Sequence, residues 1–538
     1  MPETLRTADI LARRLYEAGC RHAFGMPGGE VLTLVDALEA AGIRFILCKH
    51  ETAAGFMAEG VHHRDGAPAI LVATLGPGAM NAVNVVANAF QDRVPMIVLT
   101  GCVDADEAQS YTHQVMDHAA VFRPITKSSL RLSAGAADII ADRAVSVAVA
   151  PRPGPVHVDV PVGVAEARVP APVPRRRTPA SATAPQGADL ALAREWLGAA
   201  ERPLAVIGLD MLGDGPDSVP RAFVEHFGIP FVTTYKAKGV IGEDHPLCLG
   251  SAGLSPLADG HLLGLVARAD LVLCIGYDPI EMRPGWRDAW DPARQRVIDI
   301  APVANDHYMH QAALNFVADP VATLEVLAQG GVARATWPDR EPDAVRRALA
   351  AAFPMDDDWG PAAVIAEARA VLPAGTLATA DSGAHRILLS QMWRCDAPRE
   401  LVQSSGFCTM GCALPLALGL KIASPERVAV GFSGDAGFLM ALGELSTAAE
   451  MGVRAIFVVF VDASLGLIEM KQRARQLPPR GVNFARHDFA AIARALGGDG
   501  HQVRNRAELR AALQAAMEAD CFTVIAAEIE PGQYDGRI

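Results

Sequence analysis

The chain has 538 residues, enough for about three to four domains of ordinary size. Its composition, 51% hydrophobic and 20% charged, is typical of a globular protein with large buried sheets. The net charge of −13, with no basic block beyond Arg175–Arg177, argues against nucleic acid as a partner. We also expect no membrane partner, because the longest apolar runs, such as Ala455–Val461, are too short to span a bilayer.

The N-terminus and the cysteines both indicate a cytoplasmic protein. The opening MPETLRTADILARRL predicts an amphipathic helix capped near Thr7, not a signal peptide. Nine cysteines are scattered mainly through apolar segments, and Cys408 and Cys412 lack the spacing and partners of a zinc site. We expect core thiols in a reducing cytoplasm.

The first part of the chain, residues 7–160, alternates strand and helix patterns. Arg44–Cys48, Ala69–Thr74 and Met96–Thr100 are predicted strands, each followed by a turn. This repetition predicts a parallel sheet. Glu51 lies where the strand Arg44–Cys48 gives way to a helix, and the residues alone leave a catalytic role and a helix-dipole role equally open.

Four histidines of this part are candidate acid–base groups. His62 and His63 lie one helix away from Glu51, and we expect them on the surface. His113 and His118 belong to a polar segment, Tyr111–Ser128, where we expect solvated loop side chains.

The middle of the chain is predicted to be a structural domain between two linkers. A shift to Pro, Ala, Arg and Thr from Pro161 to about Gln186 predicts an exposed linker, and a second is predicted around Gln329–Pro361. Strands such as Leu204–Ile207 and Leu271–Ile275 predict an α/β unit between them. No G-x-G-x-x-G fingerprint follows these strands, so we interpret the unit as structural.

The last part contains two strand–turn–helix units in succession. An apolar strand, Val428–Phe432, enters a glycine-bearing turn, and the strand Ala455–Val461 ends on Asp462. The helix after the first turn carries apolar residues at helical spacing: Met440, Leu442, Leu445 and Ala448.

Two acids lie at the ends of these strands: Asp435 is in the turn after the first strand, and Asp462 is where the second strand ends. Because adjacent parallel strands end at the same sheet edge, we expect the two carboxylates to converge. Such oxygens suit Mg2+, while Gly434 and Gly437 let the backbone approach a phosphate at the helix N-terminus. The pattern predicts a metal–diphosphate clamp, with a helix-capping Asp435 in an ordinary turn as the alternative.

This stretch resembles the cofactor signature of thiamine-diphosphate enzymes, which has a GDG-like turn, a spacer of a few dozen residues, and an Asn-Asn or Asn-Asp pair. Ala436 replaces the last glycine of the turn, and Val461 replaces the first Asn of the pair. KHETAAGFMAEG, TLGPGAMNAVNVVANAFQDRVPMIVLTG and SSGFCTMGCALPLALG are similar to further family segments, in family order. The segment YTHQVMDHAAVFRPITKS resembles the FAD-independent catabolic acetolactate synthases, and benzaldehyde lyase less closely.

The resemblance covers nearly the whole chain and implies an α/β fold of three doubly wound parallel-sheet domains. These would be a pyrimidine-binding domain (1–165), a central domain (188–330) and a diphosphate-binding domain (360–538). It also implies a homodimer or homotetramer with active sites at the subunit interface, where Glu51 of one subunit meets the Asp435/Asp462 clamp of another.

The resemblance further implies roles for particular residues. Glu51 would hydrogen-bond the aminopyrimidine ring and Gln114 would orient the substrate, as the catalytic residues. The predicted metal ligands are Asp435, Asp462 and Ser464. The predicted cofactor-binding residues are Pro27, Thr74, Asn81, Gly383, His385, Cys408, Met410, Gly434, Ala436, Gly437, Leu465, Gly466 and Leu467.

The function implied is a carboligase that uses thiamine diphosphate and Mg2+. It would decarboxylate a 2-oxo acid, with pyruvate expected, and join the product to a second carbonyl, as acetolactate synthase does. FAD is not expected, because Tyr277–Glu281 differs from the Phe-Asp-Asp-Arg run of the FAD-binding synthases.

Other functions stay open. Residues Gly466–Gln472, expected to line the acceptor pocket, depart from the catabolic synthases. A simple 2-oxo acid decarboxylase and an aldehyde lyase or carboligase are therefore alternatives. A non-catalytic cofactor-binding protein is a remote one.

Overall fold

The computed structural model describes residues 4–212, 218–305, 307–332 and 335–538 of the chain. Three six-stranded sheets follow one another along the sequence, and their strands pair in parallel. Alternate residues of a strand enter different cores: Ile70 packs on one face of the first sheet and Leu71 on the other. Sheets covered on both faces explain the continuous apolar runs of the sequence. The predicted α/β fold of three doubly wound domains is confirmed.

The first unit packs helices on both faces of its sheet. Its strands are β1 (Thr4–Arg6), β2 (His22–Met26), β3 (Arg44–Leu47), β4 (Ala69–Ala73), β5 (Met96–Cys102), β6 (Ser128–Arg131), β7 (Val156–Pro161) and β8 (Arg168–Pro170). Its helices are α1 (Thr7–Glu17), α2 (Leu32–Ala40), α3 (Glu51–Asp65), α4 (Pro77–Gln91), α5 (His118–Phe122), α6 (Ala137–Val149) and α7 (Val162–Glu166). The sheet order is β3-β2-β4-β5-β7-β6, while β1 pairs with β8 antiparallel and joins the two ends of the unit.

The second unit has the same architecture. Its strands are β9 (Pro203–Ile207), β10 (Phe231–Thr234), β11 (Cys248–Ala252), β12 (Leu271–Ile275), β13 (Arg296–Ala301) and β14 (Leu314–Val317). Its helices are α8 (Ala188–Ala199), α9 (Ser218–Phe227), α10 (Pro256–Val266), α11 (Pro320–Ala328) and α12 (Glu341–Ala352). The sheet order β11-β10-β9-β12-β13-β14 reverses direction between β9 and β12.

The third unit reverses direction between β15 and β17, in the order β16-β15-β17-β18-β20-β19. Its strands are β15 (Leu377–Ala380), β16 (Leu401–Gln403), β17 (Ala429–Gly434), β18 (Ile456–Val461), β19 (Asp499–Val503) and β20 (Thr523–Glu528). Its helices are α13 (Pro361–Val371), α14 (Ala384–Met392), α15 (Ala413–Ala423), α16 (Asp435–Ala441), α17 (Glu444–Met451), α18 (Gly466–Ala474), α19 (Phe489–Ala495) and α20 (Arg506–Glu518).

Helices α3 and α15 join the first unit to the third. Two glycines allow the close approach: a Cβ on Gly419 would lie 2.1 Å from the Met57 carbonyl oxygen, and one on Gly60 would lie 2.5 Å from the Leu416 carbonyl oxygen. The two helices share one apolar core with both sheets. The units are therefore held in a fixed relation by backbone contact, not by a loose linker.

This packing overturns the surface prediction for His62 and His63. Both are buried, because α3 is covered by the first sheet on one side and by α15 on the other. His62 Nδ1 lies 2.8 Å from the Ala67 carbonyl oxygen, and His63 Nε2 lies 3.3 Å from Glu59 Oε1. Burial lowers the pKa of both rings well below the ordinary value, so they are neutral packing residues.

A buried polar junction lies where the three units meet, around Asp92. Its carboxylate accepts from the backbone N–H groups of Ser405 and Gly406, at 3.0 and 2.6 Å. Lys236 of the second unit donates to the Asp92 carbonyl oxygen at 2.8 Å and lies 3.5 Å from its carboxylate. Burial raises the pKa of the Asp92 carboxyl group, and these contacts from both other units partly offset that effect.

Two other sequence predictions change in detail. The second linker contains α12, which packs on α10 and buries Val345. The helix predicted to carry Met440 is divided into α16 and α17, and Met440 is 67% exposed. The helical spacing of apolar residues in this segment therefore does not predict which side chains are buried within one chain. No helix among the described residues is long and apolar enough to cross a membrane.

The α3–α15 contact makes a stability prediction. Gly419→Ala should lower the free energy of unfolding by about 1–3 kcal/mol, because its methyl group cannot fit beside the Met57 carbonyl. Gly260→Ala is the matched control, since Gly260 is also helical and has nothing within 4 Å of a Cβ. It should stabilise by up to about 1 kcal/mol through helix propensity. Thermal and denaturant unfolding of both variants measure the difference, and equal effects would contradict the packing account.

Candidate active site

A cavity lies at the direction reversal of the third sheet. Strands β15 and β17 are parallel neighbours there, so the turns that follow them lie side by side and begin α14 and α16. Ligands of open α/β sheets bind at such a point, where backbone N–H groups of helix N-termini are available. The cavity has a volume of about 300 Å³.

The cavity is lined by every residue that the sequence predicted for the last domain. These are Gly383, His385, Cys408, Met410, Gly434, Asp435, Ala436, Gly437, Asp462, Ser464, Leu465, Gly466 and Leu467. Segments up to about 80 residues apart in sequence thus meet at one sheet edge, as the parallel topology requires.

Two buried carboxylates face this cavity from adjacent strand ends. Asp435 is the first residue of α16, and it accepts from the backbone N–H of Ala436 at 2.8 Å and of Ala463 at 2.7 Å. Asp462 accepts from the Ser464 N–H at 3.2 Å. The N-cap of α16 is Gly434 and not Asp435, so the capping alternative does not describe this carboxylate. Asp435 instead links the first turn of α16 to the turn that carries Asp462.

The electrostatics of the pair are unfavourable without a cation. Burial and the nearby Asp435 charge raise the pKa of Asp462 to about 7. Among the described residues, neither carboxylate forms an ion pair. Two hard oxygen donors with an unbalanced charge are the donor set of a divalent ion such as Mg2+.

Glycine is required at position 437 because of a third carboxylate. A Cβ there would lie 1.9 Å from Asp381 Oδ2, which accepts from Ser433 Oγ at 2.8 Å. Asp381 also accepts from the Gly411 N–H at 2.8 Å and so fixes the segment of Cys408 and Met410 beside the turn. Its role is to hold three cavity-forming segments together.

Several polar atoms of the cavity wall have no partner among the described residues. They are His385 Nε2, Ser382 Oγ and Ser464 Oγ, all buried. His385 stacks on Phe460 with ring centroids 5.3 Å apart, and burial lowers its pKa to about 3, so the ring is neutral. Unsatisfied buried donors are uncommon, and a polar ligand in the cavity would satisfy them.

Sequence reasoning missed two cations of this cavity, Arg283 and Arg386, whereas the third, Lys471, belongs to the predicted acceptor segment Gly466–Gln472. Arg386 is buried, donates to the Ser404 carbonyl oxygen, and lies 3.3 Å from Cys408 Sγ. It forms no ion pair within the described part of the chain, and its guanidinium lies 5.9 Å from the Tyr235 ring. A buried cation with neutral partners indicates an anionic ligand. Its position directly after His385 was the available signal.

The predicted residues of the first unit form a separate group at the direction reversal of their own sheet. Glu51 is the first residue of α3, is 4% exposed, and accepts from Asn81 Nδ2 at 3.0 Å. Thr74 follows β4 and donates to Glu30 Oε2 at 2.6 Å, and Pro27 follows β2. These side chains do not line the cavity of the third unit.

Gln114 and His118 lie beside the turn after β4. Gln114 is exposed, has a positive φ of 59°, and lies against Gly76. His118 is not a solvated loop residue, as predicted, but is buried between two partners. Its Nε2 accepts from the Gly76 N–H at 3.2 Å, and its Nδ1 lies 2.9 Å from Asp159 Oδ1. The cause is the short helix α5, which turns this side chain inward, whereas His113 is exposed.

Comparison with known proteins agrees with this arrangement. Three models of the thiamine pyrophosphate enzyme family match the chain: the N-terminal TPP binding domain at residues 5–121, the central domain at 190–327, and the C-terminal TPP binding domain at 381–527.

Curated relatives are similar over nearly their whole length. The chain is 28% identical to an acetolactate synthase of Bacillus subtilis, with 97% of this chain and 92% of that protein covered. It is 28% identical to a catabolic acetolactate synthase of Raoultella terrigena, with 97% and 95% covered. It is 30% identical to a Pseudomonas aeruginosa protein named "Probable 2-ketoarginine decarboxylase AruI", with 97% and 94% covered. The chain therefore belongs to the thiamine pyrophosphate enzyme family, as a thiamine-diphosphate-dependent enzyme of the acetolactate synthase-like type.

Proposed function

We propose that the protein is a Mg2+-dependent carboligase that decarboxylates pyruvate and joins the product to a second pyruvate. The observation that carries this proposal is the cavity of the third unit, which combines paired buried carboxylates, unpartnered donors and excess cations. The names of the acetolactate synthase relatives support the pyruvate reaction.

The residues of the cavity fit thiamine diphosphate bound through Mg2+. Asp435, Asp462 and Ser464 would hold the metal ion, because they supply oxygen donors at one edge. The backbone N–H groups around Gly434 would hold the diphosphate at the N-terminus of α16, and His385 would lie beside it, since its Nε2 has no partner among the described residues. When bound, this coenzyme supplies a carbon nucleophile and an electron sink for loss of CO2.

The other cofactor-binding residues fit the organic part of the coenzyme. Met410 and the wall formed by Leu465, Gly466 and Leu467 would shape the apolar side of the cavity. The Cys408 carbonyl would accept from the aminopyrimidine. Cys408 has a positive φ of 60°, a backbone conformation uncommon for a residue with a side chain.

Glu51 would move the proton that activates the coenzyme. Its carboxyl group would donate to a pyrimidine ring nitrogen and then accept from it. Burial and the hydrogen bond from Asn81 fix its orientation. Because Glu51 does not line the cavity of its own chain, we infer a homodimer or homotetramer in which a partner subunit supplies it.

The cations of the cavity would bind the 2-oxo acid. Arg386 and Arg283 flank the Cys408 sulfur, at 3.3 and 3.8 Å from their guanidinium nitrogens. A carboxylate there would be desolvated and paired, whereas Gln114 of the partner subunit would orient the carbonyl without titrating.

We propose that this activity needs no FAD. The turns after β9 and β12 are in close backbone contact, since a Cβ on Gly208 would lie 2.4 Å from the Tyr277 Cα. Arg152 bridges these turns, with ion pairs of 3.1 Å to Asp210 and 3.5 Å to Asp278. The chain's own side chains thus occupy the point at which this sheet would bind a nucleotide.

Simple decarboxylation of a larger 2-oxo acid is the second candidate. It is favoured by the similarity to the protein named a 2-ketoarginine decarboxylase. The organic product distinguishes the two candidates: a carboligase converts two pyruvates into one hydroxy-oxo acid and one CO2, whereas a decarboxylase converts each 2-oxo acid into an aldehyde and CO2.

The metal clamp can be tested by calorimetry. Asp435→Ala and Asp462→Ala should each abolish Mg2+-dependent binding of thiamine diphosphate, because the diphosphate loses its counter-charge. Asp520→Ala is the control, since that side chain is 89% exposed and remote from the cavity lining. Wild-type affinity in both cavity variants would overturn the clamp.

The role of Glu51 can be separated from binding. Glu51→Gln should bind Mg2+ and thiamine diphosphate normally, while turnover and exchange of the coenzyme's C2 proton fall at least about 100-fold. The exposed acid Glu450, which pairs with Lys49, provides the control Glu450→Gln. If NMR shows that the coenzyme's C2 proton exchanges at the wild-type rate in Glu51→Gln, Glu51 has no role in activating the coenzyme and is only an acid at the start of a helix.

The substrate assignment predicts a specific kinetic effect of Arg283. Arg283→Met should raise the KM for a 2-oxo acid about tenfold, because loss of a charged hydrogen bond costs about 1.5–3 kcal/mol. Arg287→Met is the matched control in the same loop, because Arg287 is exposed and does not line the cavity. Steady-state kinetics decide the matter, and equal KM values in the two variants would argue against carboxylate binding here.

A further inference from the structure

The second unit contains a cluster of possible metal ligands that the proposed reaction does not use. Asp299 lies near the end of β13, and His307 and His310 lie in the segment that leads to β14. One ligand atom from each of the three residues lies within 4.8 Å of the others. They line a cavity of about 180 Å³.

Two of these side chains are buried without hydrogen-bond partners for particular atoms. His310 is 5% exposed, and neither of its ring nitrogens has a partner in the described structure. Asp299 is 4% exposed, and its Oδ1 atom is likewise without a partner there. A buried polar atom left unsatisfied costs free energy, so these atoms indicate something that binds between them.

The charges around Asp299 point to a cation. Arg152 pairs with Asp210 and Asp278, and Arg93 also pairs with Asp278 at 2.8 Å. Asp299 instead accepts from the neutral amide of Asn305 at 2.5 Å. The guanidinium groups of Arg93 and Arg152 are therefore ion-paired with Asp210 and Asp278. The Asp299 carboxylate has no ion-pair partner among the described residues.

A second cluster of the same composition shows what a satisfied triad looks like. In His118, His157 and Asp159, the ring nitrogens already have partners. His157 has Thr100 Oγ1 at 2.7 Å from its Nε2 and Ser129 Oγ at 2.7 Å from its Nδ1. That cluster is a hydrogen-bond network with no nitrogen available for a metal, whereas both ring nitrogens of His310 lack a partner among the described residues.

We propose that Asp299, His307 and His310 bind a divalent transition-metal ion such as Zn2+. Two imidazoles and one carboxylate favour this class of ion over Mg2+. Bonds of about 2.0–2.2 Å would draw the three ligands slightly together, and the cavity leaves room for water as a further ligand. The His310 ring is held in place by Trp290 and Tyr277, with centroids at 4.4 and 5.1 Å.

Binding has a structural consequence at His307. Its Nδ1 accepts from the Met309 N–H at 3.2 Å, so its Nε2 carries the proton while the ring is neutral. Coordination through Nε2 would move that proton to Nδ1 and break the contact with Met309. The ion would thereby join the end of β13 to the segment before β14 and stabilise the second unit.

The test uses the full-length protein saturated with Mg2+ and thiamine diphosphate, so that the carboxylates of the third unit are occupied. Zn2+ is then added, and bound zinc is measured by equilibrium dialysis with elemental analysis. We expect a single zinc ion per chain and a raised Tm. His310→Gln and Asp299→Asn should each weaken zinc binding at least about tenfold. Even the loss of a residue that only hydrogen-bonds a metal ligand weakens metal binding by about this factor.

Controls and a second measurement keep the test decisive. His261→Gln, in α10 of the same unit, should bind zinc as the wild type does. Zinc-edge anomalous diffraction from wild-type crystals should give a peak between Asp299 and His310, which does not depend on how the variants fold. No measurable zinc in the wild type, zinc binding at the wild-type level in both ligand variants, or an anomalous peak elsewhere would overturn the proposal.

Discussion

Two carboxylates buried side by side at the ends of adjacent strands are the constraint on which the rest of the site depends. Ionisation of both Asp435 and Asp462 is unfavourable there without a cation, and burial together with the Asp435 charge raises the pKa of Asp462 to about 7. Parallel pairing of β17 with β18 makes this proximity unavoidable, because it brings both strand ends to one edge. The surrounding glycines, the neutral His385 and the unpartnered hydroxyls make sense as the remainder of a site for a metal-bound anion.

The packing of the three units explains why Glu51 does not line the cavity of its own chain. Contact between α3 and α15 fixes the first unit against the third through their helices. The backbone N–H groups of Lys49 and His50, just before Glu51, bind Glu444 of α17 at 2.9 and 3.0 Å. Glu51 is thereby fixed at an edge outside the cavity lining. The proposed oligomer, in which a second subunit presents its own Glu51 to the cavity, would bring the two groups together.

Much of the fold and of this cavity could be predicted from the sequence, because local patterns determine them. Apolar strands followed by glycine-bearing turns define where each β-strand ends, and parallel topology then brings Gly383, Asp435 and Asp462 together. What failed depended on contacts between distant segments. His62 and His63 lie in a sequence typical of a solvated helix end, yet α15 covers them. Arg386 was overlooked because its burial without an ion-pair partner among the described residues results from tertiary packing.

The central claim is that a working site combines Glu51 of one chain with Asp435 and Asp462 of another. Co-expression of Glu51→Gln and Asp435→Ala chains with different affinity tags, followed by purification through both tags, isolates mixed oligomers. In a two-fold dimer one of the two sites then has only wild-type residues, so activity should return to roughly half of the wild-type value. Mixed oligomers no more active than either parent variant would contradict the account.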